Sequence, residues 1–265
     1  MNTFKRLAPI ICDFHVHTGR FKEENYYSPE EVHTELRNLG IGRWVISSLS
    51  TRGGDCSMAH GEMLAMVALA PEKTIPLLRV TPEMLDASDD LSKYETVPFR
   101  GIKIHGFADP WDPTGPPLRQ VFEAAAARGL PLFMHTGGKP ESDAGAYAEL
   151  CGQFKDLTVV LAHGRPIDQA IGVLIDNPNV YVDTAFMPLD HIAQLRQYAS
   201  DERILFGTDF PIDTFYYPDQ PANALYQERV EALVETFGEK VFLTWAHENF
   251  NRVFPDNAGL AQCVA

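Results

Sequence analysis

Short apolar runs alternate with helix-favouring stretches eight times along the 265 residues, and this alternation restricts the fold more than any other feature. The first run, Ile10-Ile11-Cys12, leads into Asp13-Phe14-His15-Val16-His17. Further runs lie at 43–47, 74–80, 100–105, 130–135, 157–163, 179–184 and 203–209, the third weakened by Pro76. Between them stand helix signals. Ser28-Pro29-Glu30-Glu31 supplies an N-cap, a first-turn proline and a glutamate three residues after the cap. Val32, Leu36 and Leu39 then share one face, and Gly40 stops the helix. Asp55 can cap a helix whose apolar part is 63–70, and 82–95 reads as a short helix with an acidic loop. Helices follow at 116–128, from Asp143, at 166–175 and 188–198, with two more at 221–237 and 240–254.

Strand-then-helix units of roughly 30 residues imply parallel strands joined by right-handed crossovers. Eight of them fit a closed (β/α)8 barrel, here one domain over residues 1–265. No Gly-x-Gly-x-x-Gly turn follows any strand, which disfavours an open doubly wound sheet. Apolar runs fall short of the ~20 residues of a membrane span, so no membrane association is expected. The stretch before the first strand leaves no room for a signal peptide. A net charge of -14 argues against nucleic acid as a partner. Cys12, Cys56, Cys151 and Cys263 form no Cys-x-x-Cys pair and read as free thiols of a cytoplasmic protein.

In such barrels the active site lies at the C-terminal ends of the strands. Alternation puts His15 and His17 on one face of the first strand, with Asp13 deeper on it and Cys12, Phe14 and Val16 opposite. Lys103 and His105 end the fourth strand, His135 the fifth, His163 the sixth and Asp209 the eighth. Barrel closure would gather them at one mouth. Several histidines with one carboxylate suit Zn²⁺ best, with Fe²⁺, Mn²⁺ or Co²⁺ as other occupants.

His-x-His on the first strand, His on the fifth and sixth and Asp on the eighth resemble the pattern of the amidohydrolase superfamily. Gly101-Ile102-Lys103-Ile104-His105, Gly207-Thr208-Asp209-Phe210-Pro211 and Asn249-Phe250-Asn251-Arg252-Val253-Phe254 resemble its amidohydrolase-related branch. The resemblance implies that His15, His17, His135 and Asp209 bind a divalent metal. It implies that Asp209 is also the base toward water, and that His163 sits beside that water, polarising it or the substrate carbonyl. The implied activity is hydrolysis of a small carboxylic ester, lactone or amide. The alternative is nonoxidative decarboxylation of an aromatic or unsaturated acid. A non-enzymatic barrel would be expected to have lost a ligand, and none is lost.

Lys103 has three readings. It could be carboxylated and bridge two metal ions, stay charged and face substrate or pair with Asp13 or Asp209, or only pack. His105 is either a site residue or a core histidine with a satisfied hydrogen bond. Arg165 can bind a substrate carboxylate or make a salt bridge. Asp183 reads as a structural hydrogen-bonding group. Phe210, Phe215, Tyr216, Tyr217 and the Trp111-Asp112-Pro113 stretch are open between walling a small-molecule pocket and forming a homo-oligomer contact. His33, His60, His191 and His247 are set aside as helix residues.

Overall fold

The computed structural model describes residues 2–22, 25–51, 55–86, 91 and 98–254. Among the described residues nine strands form one sheet: β1 (Cys12–Lys22), β2 (Asn25–Tyr27), β3 (Arg43–Ser48), β4 (Thr74–Arg79), β5 (Gly101–His105), β6 (Leu132–His135), β7 (Val159–Ala162), β8 (Val180–Asp183) and β9 (Ile204–Leu205). Their order is β2-β1-β3-β4-β5-β6-β7-β8-β9. Every pair from β1 through β3 to β9 is parallel, and β2 lies antiparallel on β1. Beyond Leu205 the chain continues alongside β1 in the same direction, with Val16 bridged parallel to Phe210. Phe14 N donates to Phe206 O at 2.8 Å, Asp209 N to His15 O at 2.8 Å, and His17 N to Phe210 O at 2.7 Å. These bonds close a (β/α)8 barrel, as the alternation of runs requires.

Residues alternate between two apolar layers. Ile102, Ile104, Leu132, Met134, Val159, Leu161, Val180 and Val182 face the surrounding helices. Phe14, Val45, Ile75, Leu77, Phe133, Val160 and Leu205 fill the barrel, and Phe250, Val253 and Phe254 pack on them from the closing helix. Phe254 stacks on Phe14 and on Phe133, with centroids 6.4 and 6.2 Å apart. By the same alternation Lys103 and His105 share the inner face of β5.

One local expectation is corrected. β1 does not alternate strictly, because its register with β3 shifts between Asp13 and Val16. Phe14 therefore packs inside the barrel while Val16 joins the outer layer, and Asp13 turns toward the segment after β9. β1 continues past Thr18 to Lys22 and pairs with β2, with Gly19 (φ 91°) opposite Tyr27 and Thr18 Oγ1 donating to Tyr27 O at 2.6 Å. The first residues form a helix, Thr3–Leu7, because Asn2 caps Phe4 N at 2.8 Å and Phe4 packs on Tyr226.

Other local signals hold. Ser28 and Glu31 form the reciprocal capping box. Pro76 stays within β4, where its carbonyl accepts from Arg100 N at 2.9 Å and only its missing N–H goes unused. Of the 82–95 segment, Pro82–Asp86 is helical, and the acidic loop lies outside the described residues. Cys12, Cys56 and Cys151 are free and buried, and Cys263 lies outside the described residues. Among the described residues no helix is long and apolar enough to cross a membrane.

The expected final helix, 240–254, is broken into Glu239–Leu243, a π-helical turn Thr244–Glu248, and Phe250–Val253. The break places Asn249 under the barrel, where its Nδ2 donates to Asp201 O at 2.9 Å and Ile204 O at 2.7 Å. Asn249→Ala leaves two carbonyls without that donor. Urea denaturation should show a loss of about 2–4 kcal/mol. A loss under ~0.5 kcal/mol, the usual range of surface changes, would show that this amide does not hold β9.

Candidate metal centre

The mouth of the barrel is organised by what each histidine does with its Nδ1 atom. His15 Nδ1 donates to Asp183 Oδ2 at 2.8 Å. His17 Nδ1 lies 3.1 Å from both Ser47 O, to which it donates, and Ser47 Oγ, which can turn to accept as well, and His163 Nδ1 donates to Ala185 O at 3.1 Å. An ionised carboxylate and a carbonyl can only accept, so in its neutral form each ring carries its proton on Nδ1 and a bare lone pair on Nε2. Those lone pairs converge. His15 Nε2 lies 3.0 Å from His17 Nε2, and Asp209 Oδ1 lies 3.1 Å from the first and 2.9 Å from the second. Donor atoms of His15, His163 and Asp209 all lie within 4.8 Å of one another. Lone pairs so close repel unless positive charge sits among them. The set is one that a divalent cation fits, with nitrogen and oxygen donors and outer partners fixing each ring.

The electrostatics agree. Burial would raise the Asp209 carboxyl, but His15, His17 and His163 outweigh it and hold it well below the usual carboxylate range. Burial lowers His17, and it lowers His163 to about 4, so these rings are neutral at neutral pH. Asp183 is lowered too, since His15 and His163 outweigh its burial. Its Oδ1 accepts from His163 N at 2.9 Å and Ala185 N at 3.0 Å, so one carboxylate fixes two strand ends.

Backbone geometry aims the side chains. His163 and Asp209 sit at φ 69° and 67°, in the left-handed region that costs an L-residue about 1–2 kcal/mol. The reversal turns each side chain off its strand end toward the mouth. Gly207 must be glycine, because a Cβ there would lie 2.9 Å from His15 Cβ and 3.3 Å from Asp183 Cβ. Asp13 braces β1 to this segment, accepting from Thr208 Oγ1 at 2.6 Å, Thr208 N at 3.2 Å and His15 N at 3.0 Å.

The structure thus brings His15, His17, His163 and Asp209 into direct proximity. His135 stands one ring further out, its centroid 4.7 Å from His163 and 4.0 Å from His105, on which it stacks at 14°. His105 Nδ1 accepts from Ala108 N at 3.1 Å. Lys103 is buried beneath His105; burial lowers it to about 8, against the pull of Asp183 and Asp209. Of the readings open to Lys103, a pair with Asp13 is not seen; the Asp13 oxygens accept from Thr208 and His15 N. Arg165 is exposed on the rim, and its Nη2 donates to Phe186 O at 3.3 Å. His60 and His247 bind the backbone carbonyls of Arg79 and Ile10.

A cavity of about 750 Å³ opens above the centre, with Phe107, Phe186, Tyr216 and Tyr217 in its wall. Phe210 and Trp111 are instead buried in the core. The sequence reading missed Arg79, which is buried, lines this cavity and pairs with Asp109 at 2.6 Å. The strand-end rule that found the histidines, applied to 74–80, points to it.

Asp183 is the residue on which ring orientation turns. In Asp183→Asn an amide replaces the carboxylate facing His15 Nδ1. Zinc affinity, measured by chelator competition, should fall about 10–100-fold with far-UV dichroism unchanged. Undiminished affinity would mean that the Nδ1 partners do not set the donor atoms.

The family model described as Amidohydrolase matches residues 12–258. A search of curated proteins returned no match. Among solved structures, the chain is similar to an amidohydrolase from Burkholderia multivorans with bound zinc. The TM-score is 0.68 at 12% identity, covering 93% of this chain and 99% of that one. Amidohydrolase 2 from Bifidobacterium longum subsp. infantis gives 0.64 at 16%, covering 92% and 98%. The 5-carboxyvanillate decarboxylase from Sphingomonas paucimobilis gives 0.64 at 14%, covering 93% and 99%. At these identities the structures share the fold. The family match is broader in consequence, because it spans every strand from β1 to β9 and every residue gathered at the mouth: the chain belongs to the amidohydrolase family.

Proposed function

We propose that this protein is a metal-dependent hydrolase that cleaves a small carboxylic ester, lactone or amide with water. One observation carries the reading: His15 and His17 turn bare Nε2 atoms onto Asp209 Oδ1, all three atoms within 3.1 Å. His15, His17 and Asp209 would hold the ion, with His163 and His135 next to them, and zinc is the ion assigned from this donor set. The zinc-bound structure from Burkholderia multivorans supports that assignment. When bound, such an ion acts as a Lewis acid that lowers the pKa of water to ~7 and polarises a carbonyl.

The residues supply the rest. Asp209, held ionised, accepts at its carboxylate the proton that the attacking water gives up. As the new carbon–oxygen bond forms and the bond to the leaving oxygen or nitrogen breaks, the same carboxyl returns that proton to the leaving atom. His163 keeps its proton on Nδ1, so its Nε2 accepts a hydrogen bond from water and does not donate to a substrate carbonyl. This supports the water-facing one of the two roles open to it from the sequence. The cavity, about 750 Å³, matches a small molecule.

A second reading has its own support. The rings of Phe107, Phe186, Tyr216 and Tyr217 suit a planar substrate, and the 5-carboxyvanillate decarboxylase shares the fold. Release of CO₂ from aromatic acids, without turnover of any ester, lactone or amide, would select nonoxidative decarboxylation instead.

Metal analysis of the purified protein, paired with Asp209→Asn in excess zinc, tests the hydrolase reading. The wild type should carry zinc, and the variant should lose at least ~10²-fold in kcat while staying folded. Metal-free native protein with full turnover, or an unimpaired variant, would overturn it.

A further inference from the structure

His105 carries the opposite polarity to the histidines of the metal centre. Its Nδ1 accepts the Ala108 N–H, so its neutral ring holds the proton on Nε2 and offers a donor. The stack on His135, 4.0 Å between centroids, fixes the ring's orientation, and the residue lines the cavity. Arg79 ends the adjacent strand β4 and lines the same cavity, although it is buried. One Nη donates to Asp109 at 2.6 Å and the other to Val80 O at 3.2 Å. A guanidinium has five N–H donors, so an edge of Arg79 remains for a ligand.

The two residues face the metal centre. In a closed ring of eight strands, β5 stands four places from β9, and β4 four places from β8. The chain has 36 acidic and 22 basic residues. Among the described residues, the charged side chains lining the cavity are Lys22, Arg79 and Arg165 against Asp209, with Asp109 paired to Arg79 behind the wall. Lys22 and Arg165 against Asp209 leave the mouth slightly positive on an otherwise acidic protein, which favours an anion there.

We propose that Arg79 and His105 form a subsite that holds a carboxylate of the substrate on the wall across from Asp209. The inference rests on the hydrolase reading and narrows it. The substrate is a carboxylic acid whose scissile group lies elsewhere in the molecule, and the acid group stays on the product. Binding through charge-assisted N–H donors would place the reacting carbonyl at the opposite wall.

Calorimetric titration of zinc-loaded protein with benzoate and with benzamide, its uncharged counterpart, tests the subsite. Wild type should bind benzoate at least ~10-fold more tightly than benzamide, as a hydrogen-bonded charge implies. His105→Phe, which keeps a ring on His135 but removes the donor, should abolish most of that preference, and His105→Gln should restore part of it. Arg79→Lys should weaken benzoate and leave benzamide unchanged. If Arg79→Lys does not fold with Asp109 left poorly paired, the two His105 variants decide. No preference in the wild type overturns the proposal. So does a preference unchanged in His105→Phe, which places the carboxylate on the ion alone. Zinc content of the same preparations separates the readings. Zinc-loaded protein with an unaltered preference removes the subsite and leaves the hydrolase; protein without zinc that loses its preference in His105→Phe does the reverse.

Discussion

The protons on three Nδ1 atoms set the chemistry of this protein. Asp183, the Ser47 carbonyl and the Ala185 carbonyl each accept one, and none can give one back. An imidazole has only two nitrogens, so fixing the proton on one exposes a lone pair on the other. Were any ring turned over, it would present an N–H to Asp209 and satisfy the carboxylate without a metal. The outer partners therefore decide whether the cluster is a hydrogen-bonded knot or a cation site.

Barrel closure makes this possible. The bonds from Phe14, Asp209 and His17 across the seam bring the last strand beside the first, and Asp13 braces the same seam through Thr208. Left-handed backbone at His163 and Asp209 has an energetic cost that the surrounding bonds must outweigh. Asp183 answers part of it by accepting the His163 N–H, and the His15 carbonyl another part by accepting the Asp209 N–H. Gly207 leaves room for His15 to approach β9. The polar layer at the mouth rests on an apolar one, in which Phe14, Phe133 and Phe254 fill the barrel.

Much of the fold was legible in the sequence because its cause is local. Strand and helix periods, the Ser28–Glu31 capping box and the glycine stops are short-range signals, and regular alternation leaves few topologies. The positions of His15, His17, His105, His135, His163 and Asp209 at strand ends followed from the same rule. What escaped depends on long-range geometry. Asp183 was read as a structural hydrogen-bonding group, but not its partner, a ring 168 residues away; the Ser47 carbonyl acts on one 30 residues away, and a carbonyl has no residue identity to read. The register shift after Asp13 broke an alternation that looked regular, because it follows from pairing with β3. Arg79 was overlooked although it ends its run as the histidines do, since attention went to ligand types.

The most direct test is long-range ¹H–¹⁵N NMR of the histidine rings as zinc is added. The rings of His15 and His17 should begin with the proton on Nδ1. Zinc should then shift their Nε2 resonances while both Nδ1 protons stay in place. Rings protonated on Nε2 before zinc, or Nε2 resonances that zinc leaves unmoved, would contradict a cation site built on those two lone pairs.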